Sequence, residues 1–213
     1  MFITLEGIEG SGKTTQAKHI VDYFKSIGEY CVLTREPGGT TIGKQIRSIV
    51  LNPASGNMDS TTELLLYVAD RVQHINELIK PALAEGKVVI CDRYADATVA
   101  YQGFARGLDI DLIEQLHKLV INKITPDMTL LFDMRPEDGL ARAWKQINNG
   151  SRTQDETRFE KEKLLFHQNV RAGYLSIAAR DKKRFVIIDA AKTEDEVKRE
   201  IINAIIKHRE SNG

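Results

Sequence analysis

Gly7, Ile8, Glu9, Gly10, Ser11, Gly12, Lys13 and Thr14 spell G-x-x-x-x-G-K-T close to the amino terminus. Glycines at three of those positions let the backbone turn where a Cβ would resist. Successive N–H groups can then face a polyphosphate at the start of a helix, whose dipole favours negative charge. Lys13 brings a point charge for the β- and γ-phosphates, and the Thr14 hydroxyl is a ligand type suited to Mg²⁺. Such a string can arise by chance in a glycine-containing turn. Its context, an apolar strand before and an amphipathic helix after, points to a nucleoside triphosphate site. Phosphoryl transfer further needs a metal-holding carboxylate and added positive charge. Asp92 closes the apolar run 88–91, and Asp133 closes the run 130–132, so the two compete for the metal. Asp92 is preferred because Arg93 beside it carries a planar donor fork suited to phosphate.

These side chains need a scaffold, and its elements alternate along the chain. Runs rich in Val, Ile and Leu at 2–5, 30–34, 87–91, 128–132 and 185–188 read as strands. Between them, Ala17, Ile20, Val21, Phe24 and Ile27 fall at helical spacing, with Gly28 placed to end that helix. A second helix is expected around 42–51. In a longer third one, Leu64, Leu65, Val68, Val72, Ile75 and Ile79 share a face until Pro81 kinks or restarts it. Another begins near Asp109 with Leu112, Ile113, Leu116, Leu119 and Val120 apolar, and Thr193 with Glu196 forms a capping box for the last. Continuous apolar strands separated by helices predict an α/β fold of P-loop NTPase type, a five-stranded parallel sheet with helices on both faces. Ligands of such sheets sit beyond the strand C-termini. The glycine-rich loop, the REPGG stretch at 35–39 and the DRY stretch at 92–94 all fall there. Residues 145–158 hold one apolar residue, Ile147, among fourteen, which speaks against a core role. They read as a mobile basic flap, a lid at about 142–158 within a single domain spanning 1–213.

Thirty basic and thirty acidic residues cancel, which disfavours a protein that lives on nucleic acid backbones or anionic membranes. No apolar run reaches membrane-spanning length, and the chain opens on strand and loop rather than a leader, so a cytoplasmic location is expected. Cys31 and Cys91 lie in apolar runs and read as buried, reduced thiols. The histidines at 19, 74, 117, 167 and 208 show no catalytic or metal spacing and read as exposed basic side chains.

The loop at 7–14, REPGG at 35–39, DRY at 92–94, AYQG at 100–103 and the arginine-rich flap, taken together, resemble the bacterial thymidylate kinase family from Met1 to the last helix. That resemblance implies transfer of the ATP γ-phosphate to dTMP with Mg²⁺, in a homodimer of nucleoside monophosphate kinase architecture. It implies Lys13 and Thr14 on the ATP phosphates and metal, with Asp92 as the second metal residue. Glu9 would lie near the acceptor sugar 3′-hydroxyl. Arg93 and Arg47 would grip the dTMP phosphate, Arg71 the thymine edge, and Tyr67, where the family commonly has Phe, would stack on the base. Thr98, Tyr101 and Gln102 would surround the base and sugar, the Tyr101 ring excluding ribose. The loop interior has no arginine, so the transition-state arginine must come from the flap, with Arg142, Arg152 and Arg158 as candidates and Lys145 a weaker one. Rival readings are a nucleotide-dependent scaffold without turnover and a cytidylate, uridylate or deoxynucleoside kinase. A guanine-nucleotide switch is disfavoured, because no D-x-x-G occurs and Asn122-Lys123 is followed by Ile124-Thr125.

Overall fold

The computed structural model describes residues 1–121, 124–151 and 153–212. Its centre is β1 (Phe2–Gly7), buried at every position. Parallel partners flank it: β3 (Val88–Asp92) on one side and β4 (Met128–Asp133) on the other, with β2 (Cys31–Arg35) and β5 (Phe185–Asp189) at the edges. The order β2-β3-β1-β4-β5 puts β1 at the centre, with β3 inserted between it and the earlier edge strand β2 and the chain crossing to the other side for β4 and β5, and a cleft opens beyond the C-terminus of β1. Leu5 pairs with Asp92 and Gly7 with Phe132, so the phosphate loop and the β3 end emerge side by side.

Alternation along the strands divides the core. Ile3, Leu5, Val88 and Ile90 pack with Ile20 and Phe24 of α1 (Lys13–Ser26) and with Ile201 and Ile205 of α9 (Glu194–Asn212). Phe2, Val89 and Cys91 pack on the opposite face against Ile75, Ile79 and Tyr94. Ile20 and Phe24 are fully buried one helical turn apart, and truncating a phenylalanine in such a site costs about 3–5 kcal/mol. Gly28 ends α1 as expected, in left-handed backbone (φ 78°) with the Glu29 N–H returned to the Phe24 carbonyl. Thr193 and Glu196 exchange the capping-box bonds at α9. Both cysteines are free, but Cys31 is only half-buried because β2 is an edge strand.

Helices α2 (Thr41–Val50) and α3 (Ser60–His74) bring Arg47, Tyr67 and Arg71 to the cleft. The expected interruption at Pro81 takes another form. The chain runs from α3 through a wide turn of π geometry, Ile75–Ile79, into α4 (Lys80–Ala84) without stopping. The Lys80 N–H bonds five residues back to Ile75, and this wider turn accommodates a proline that has no N–H and whose ring crowds the turn before it. A second π segment, Val99–Ala105, follows α5 (Ala95–Thr98) and contains Tyr101 and Gln102. After α6 (Ile110–Ile121), β4 leads into α7 (Pro136–Asn148), and residues 149–163 connect to α8 (Leu164–Arg180).

Three expectations need correction here. The segment from 142 to 148 is helix rather than flap: Gly139, Ala143 and Ile147, four residues apart, form a buried stripe whose polar neighbours face solvent. Thr157 and Arg158 are also buried, along with Glu160, although their residue types alone argue for exposure. Arg158 can be buried because Glu63, itself fully buried, pairs with it. The histidines are corrected too: His74 and His167 are fully buried and His117 nearly so.

Candidate active site

At the end of β1, Gly10 (φ 69°) and Gly12 (φ 90°) take left-handed backbone, and α1 starts at Lys13 with its free N–H groups turned to the cleft mouth. The Lys13 ammonium folds back over the loop, donating to the carbonyls of Gly7 (2.9 Å) and Ile8 (2.7 Å) and to Ser11 Oγ (3.2 Å). Burial, with repulsion from Arg93 adding to it, brings its pKa down to about 8. A polyphosphate arriving at the loop would restore the charge balance around this amine.

The two strand-end carboxylates differ in what surrounds them. Asp133 is held in a fork by Arg171 Nε (2.7 Å) and Nη2 (2.9 Å). Among the described residues Asp92 accepts only a 3.2 Å bond on Oδ2 from the Thr14 hydroxyl, and its buried Oδ1 has no partner. An orphaned carboxylate oxygen beside a hydroxyl at the phosphate loop fits Mg²⁺, which binds through one or two protein oxygens and takes its other ligands from water and phosphate. No cluster of three or more His, Cys, Asp or Glu side chains able to hold a metal occurs among the described residues.

Arg93 follows Asp92 with φ 70°, the one non-glycine residue with positive φ among those described. Backbone strain of this kind persists where the surroundings hold it and clusters at functional sites. Its guanidinium lies 4.7 Å over the Tyr101 ring and donates to Glu9 Oε1 at 2.8 Å. Tyr101 donates to the same oxygen at 2.5 Å, and His167 Nδ1 lies 3.2 Å from Glu9 Oε2. Burial alone would raise the Glu9 carboxyl, but the Arg93 charge and the bonds from His167 and Tyr101 outweigh it and hold the group well below the usual carboxylate range. Glu9 is therefore an anion at neutral pH.

Arg71 lines the far end of the cleft and is almost wholly enclosed. It donates to Glu36 Oε2 (2.8 Å), the Tyr94 carbonyl (3.0 Å) and Thr98 Oγ1 (3.0 Å), and Nη1 meets His117 Nε2 at 3.2 Å. Of its five N–H groups one remains, on Nη1, for a ligand. Burial, and then repulsion from Arg71, brings the His117 pKa down to about 3, so this ring is a neutral acceptor. Glu36 is fixed in turn by His74 Nδ1 (2.9 Å), whose Nε2 meets Thr34 Oγ1 (2.7 Å). This chain explains a glycine of the REPGG stretch: a Cβ on Gly39 would stand 2.4 Å from His74 Nε2. Arg47 forks onto Glu156 through Nε (2.9 Å) and Nη2 (2.7 Å). Gln102 Nε2 donates to Glu63 Oε1 at 2.7 Å.

A cleft of about 560 Å³ brings these groups together. Glu9, Gly10, Ser11, Gly12, Lys13, Thr14 and Asp92 line it together with Arg47, Tyr67, Arg71, Arg93, Thr98, Tyr101 and Gln102. Gly7 and Ile8 lie behind the loop, their carbonyls turned to Lys13. Neither Arg142 nor Arg158 lines the cleft. Arg142 donates to the Ala190 carbonyl (3.0 Å), and Arg158 is held between the Val50 carbonyl and Glu63. Arg152 lies outside the described residues. Sequence reasoning missed Glu36, Glu63 and His167. Glu36 sat inside a stretch already singled out, whereas the other two carried no local signal.

The profile of the thymidylate kinase family matches residues 5–201. A protein named thymidylate kinase from Desulfosudis oleivorans is 54% identical over 205 residues, covering 96% of each chain. One of the same name from Desulforapulum autotrophicum is 54% identical over 96% of this chain and 90% of its own. A crystal structure of thymidylate kinase from Ehrlichia chaffeensis superposes with a TM-score of 0.76 at 35% identity, covering 96% of this chain and 98% of the other.

Proposed function

The chain belongs to the thymidylate kinase family and is a phosphotransferase acting on dTMP, and on that premise we propose how its cleft divides the work. ATP lies with its phosphates on the loop 7–14, and Lys13 leaves the Gly7 and Ile8 carbonyls to reach them. Thr14 and Asp92 would hold Mg²⁺, which when bound would neutralise charge on the phosphates. dTMP occupies the opposite end. Arg93 and Arg47 take its phosphate, Arg71 offers its remaining N–H to the base, and Tyr67 stacks on it. The half-buried ring of Tyr67 on the cleft wall is compatible with that role. Thr98 and Gln102 complete the pocket, and Tyr101 packs against the sugar with Glu9 at the 3′-hydroxyl.

One observation carries this reading: the eight residues assigned to the acceptor line the same cleft as the phosphate loop and the orphaned Asp92 oxygen. Transfer between two phosphates held in one cleft needs alignment and charge more than covalent help. Of the two described arginine candidates, Arg142 on α7 gives up a single carbonyl contact to reach the phosphates, whereas Arg158 must leave a buried ion pair. Arg142 is therefore our preferred transition-state arginine of these two, with Arg152 as the third candidate. A cytoplasmic homodimer belongs to the same reading. Helices α3 and α6 pack through Leu64, Val68 and Ile113 and leave Leu65, Val72, Leu112 and Leu119 exposed, an apolar surface a second copy can cover. Among the described residues no helix is long and apolar enough to cross a membrane.

The test is ADP release from Mg-ATP with dTMP, dUMP, UMP, CMP, AMP and GMP as acceptors. Turnover strongest with dTMP is expected. Preference for CMP or UMP would overturn the roles given to Arg71, Tyr67 and Tyr101, and ATP binding without acceptor-dependent turnover would favour a scaffold.

A further inference from the structure

We propose that His167 is a positioning residue for Glu9, setting the rotation of the carboxylate that meets the acceptor. The inference rests on the reading of Glu9 as partner of the sugar 3′-hydroxyl. His167 stands in the first turn of α8, directly after the lid connection, with its side chain 1% exposed. Its Nδ1 lies 3.2 Å from Glu9 Oε2, and its buried Nε2 has no partner. The imidazole has therefore given up water for a single polar contact, and that contact is Glu9. For packing alone, a side chain without nitrogen would fill the place and leave no buried polar atom unsatisfied.

The distribution of donors around Glu9 gives the contact its function. Tyr101 and Arg93 both donate to Oε1, which engages the two lone pairs of that oxygen. Among the described residues Oε2 receives only His167, so it is the oxygen with capacity left for a further donor. The terminal torsion of a glutamate is broad and has no strong preference of its own. Two donors on one oxygen make a pivot; a third on the other oxygen decides where the free lone pair points. His167 supplies that third contact, from an element 158 residues away in sequence.

The experiment measures kcat and KM for dTMP and for 3′-deoxythymidine monophosphate, which lacks the hydroxyl, in wild type, His167→Phe, His167→Asn, Glu9→Gln and the His167→Phe/Glu9→Gln double variant. Melting temperatures establish which proteins are folded. His167→Phe should lower kcat/KM for dTMP about tenfold and change it less than about twofold for the 3′-deoxy acceptor, with KM for ATP unmoved. His167→Asn, which keeps a donor at the δ position, should recover most of the loss even if the phenylalanine variant folds poorly. In the Glu9→Gln background the His167→Phe effect should vanish. Wild-type activity on dTMP in His167→Phe would overturn the proposal, as would equal losses on both acceptors or losses that add to those of Glu9→Gln. An unimpaired Glu9→Gln would instead refute the reading of Glu9 itself, and the proposal with it.

Discussion

Gly139 of α7 lies against the back of the phosphate loop. An alanine methyl there would stand 2.5 Å from the Glu9 carbonyl oxygen and 2.8 Å from Ile8 Cδ1. The isoleucine tip can swing aside, but the loop backbone cannot yield without carrying the Glu9 side chain with it. Restoring an ordinary contact requires helix and loop to separate by roughly 1 Å. Overpacking of this kind costs about 1–3 kcal/mol, and the better helix propensity of alanine offsets about 1 kcal/mol of that. A net loss of about 1 kcal/mol lowers Tm by about 2–4 °C in a chain of this size. The kinetic effect should be larger, because misplacing a reacting group by that distance costs on the order of 10²-fold in rate. Gly139→Ala is therefore expected to melt only a few degrees early while losing most of its kcat. Calorimetric melting and the ADP-release assay measure the two effects. Gly56→Ala is the control, since its backbone is ordinary and the nearest atom to the new methyl, the Pro53 carbonyl oxygen, lies at 3.4 Å. A folded Gly139→Ala with wild-type kcat, or one that melts above wild type, would refute the argument that loop and helix touch backbone to backbone.

Three further outcomes are expected. Glu63→Ala leaves Arg106 and Arg158 without the buried carboxylate they share and should cost about 3–5 kcal/mol, read as a fall in the urea midpoint; an unmoved midpoint would contradict the role given to this ion pair. Burial, with the Asp96 charge adding to it, pushes the Glu6 carboxyl up from 4.5 to about 8. The folded state then binds this proton more tightly than the unfolded chain, so the group's contribution to stability declines as pH rises from 4.5 to about 8. Glu6→Gln should flatten the dependence of Tm on pH across that window, and parallel curves for the two proteins would count against it. Glu156→Gln weakens the fork that occupies Arg47 and should lower KM for dTMP by about two- to fivefold, the equivalent of ~0.5–1 kcal/mol for a partly exposed pair. An unchanged KM would show that the lid carboxylate does not compete with the acceptor phosphate.

What the sequence determined by itself is whatever local geometry dictates. The loop 7–14 was legible because left-handed turns demand glycine, and the five strands because buried parallel strands need unbroken apolar runs. The capping box at Thr193 and the glycine stop at 28 are contacts within one helical turn, so residue types a few positions apart specify them. The residues we assign to the acceptor entered only through family resemblance, since no period or spacing marks Tyr67 or Thr98 as cleft-lining. Tertiary structure alone makes the surroundings of Asp92 and Asp133 different, because the arginine that occupies Asp133 comes from α8, 38 residues later. It also placed the two ends of a flap that looked wholly solvated in a helix and a buried turn, leaving 148–151 and 153–155 exposed, because Glu63 of α3 supplies the counter-charge that permits Arg158 inside. Burial of a charge or an imidazole depends on a partner brought by another element, and the residue's own neighbours in sequence do not name that partner. His167 and Glu9 meet for that reason only in the folded chain.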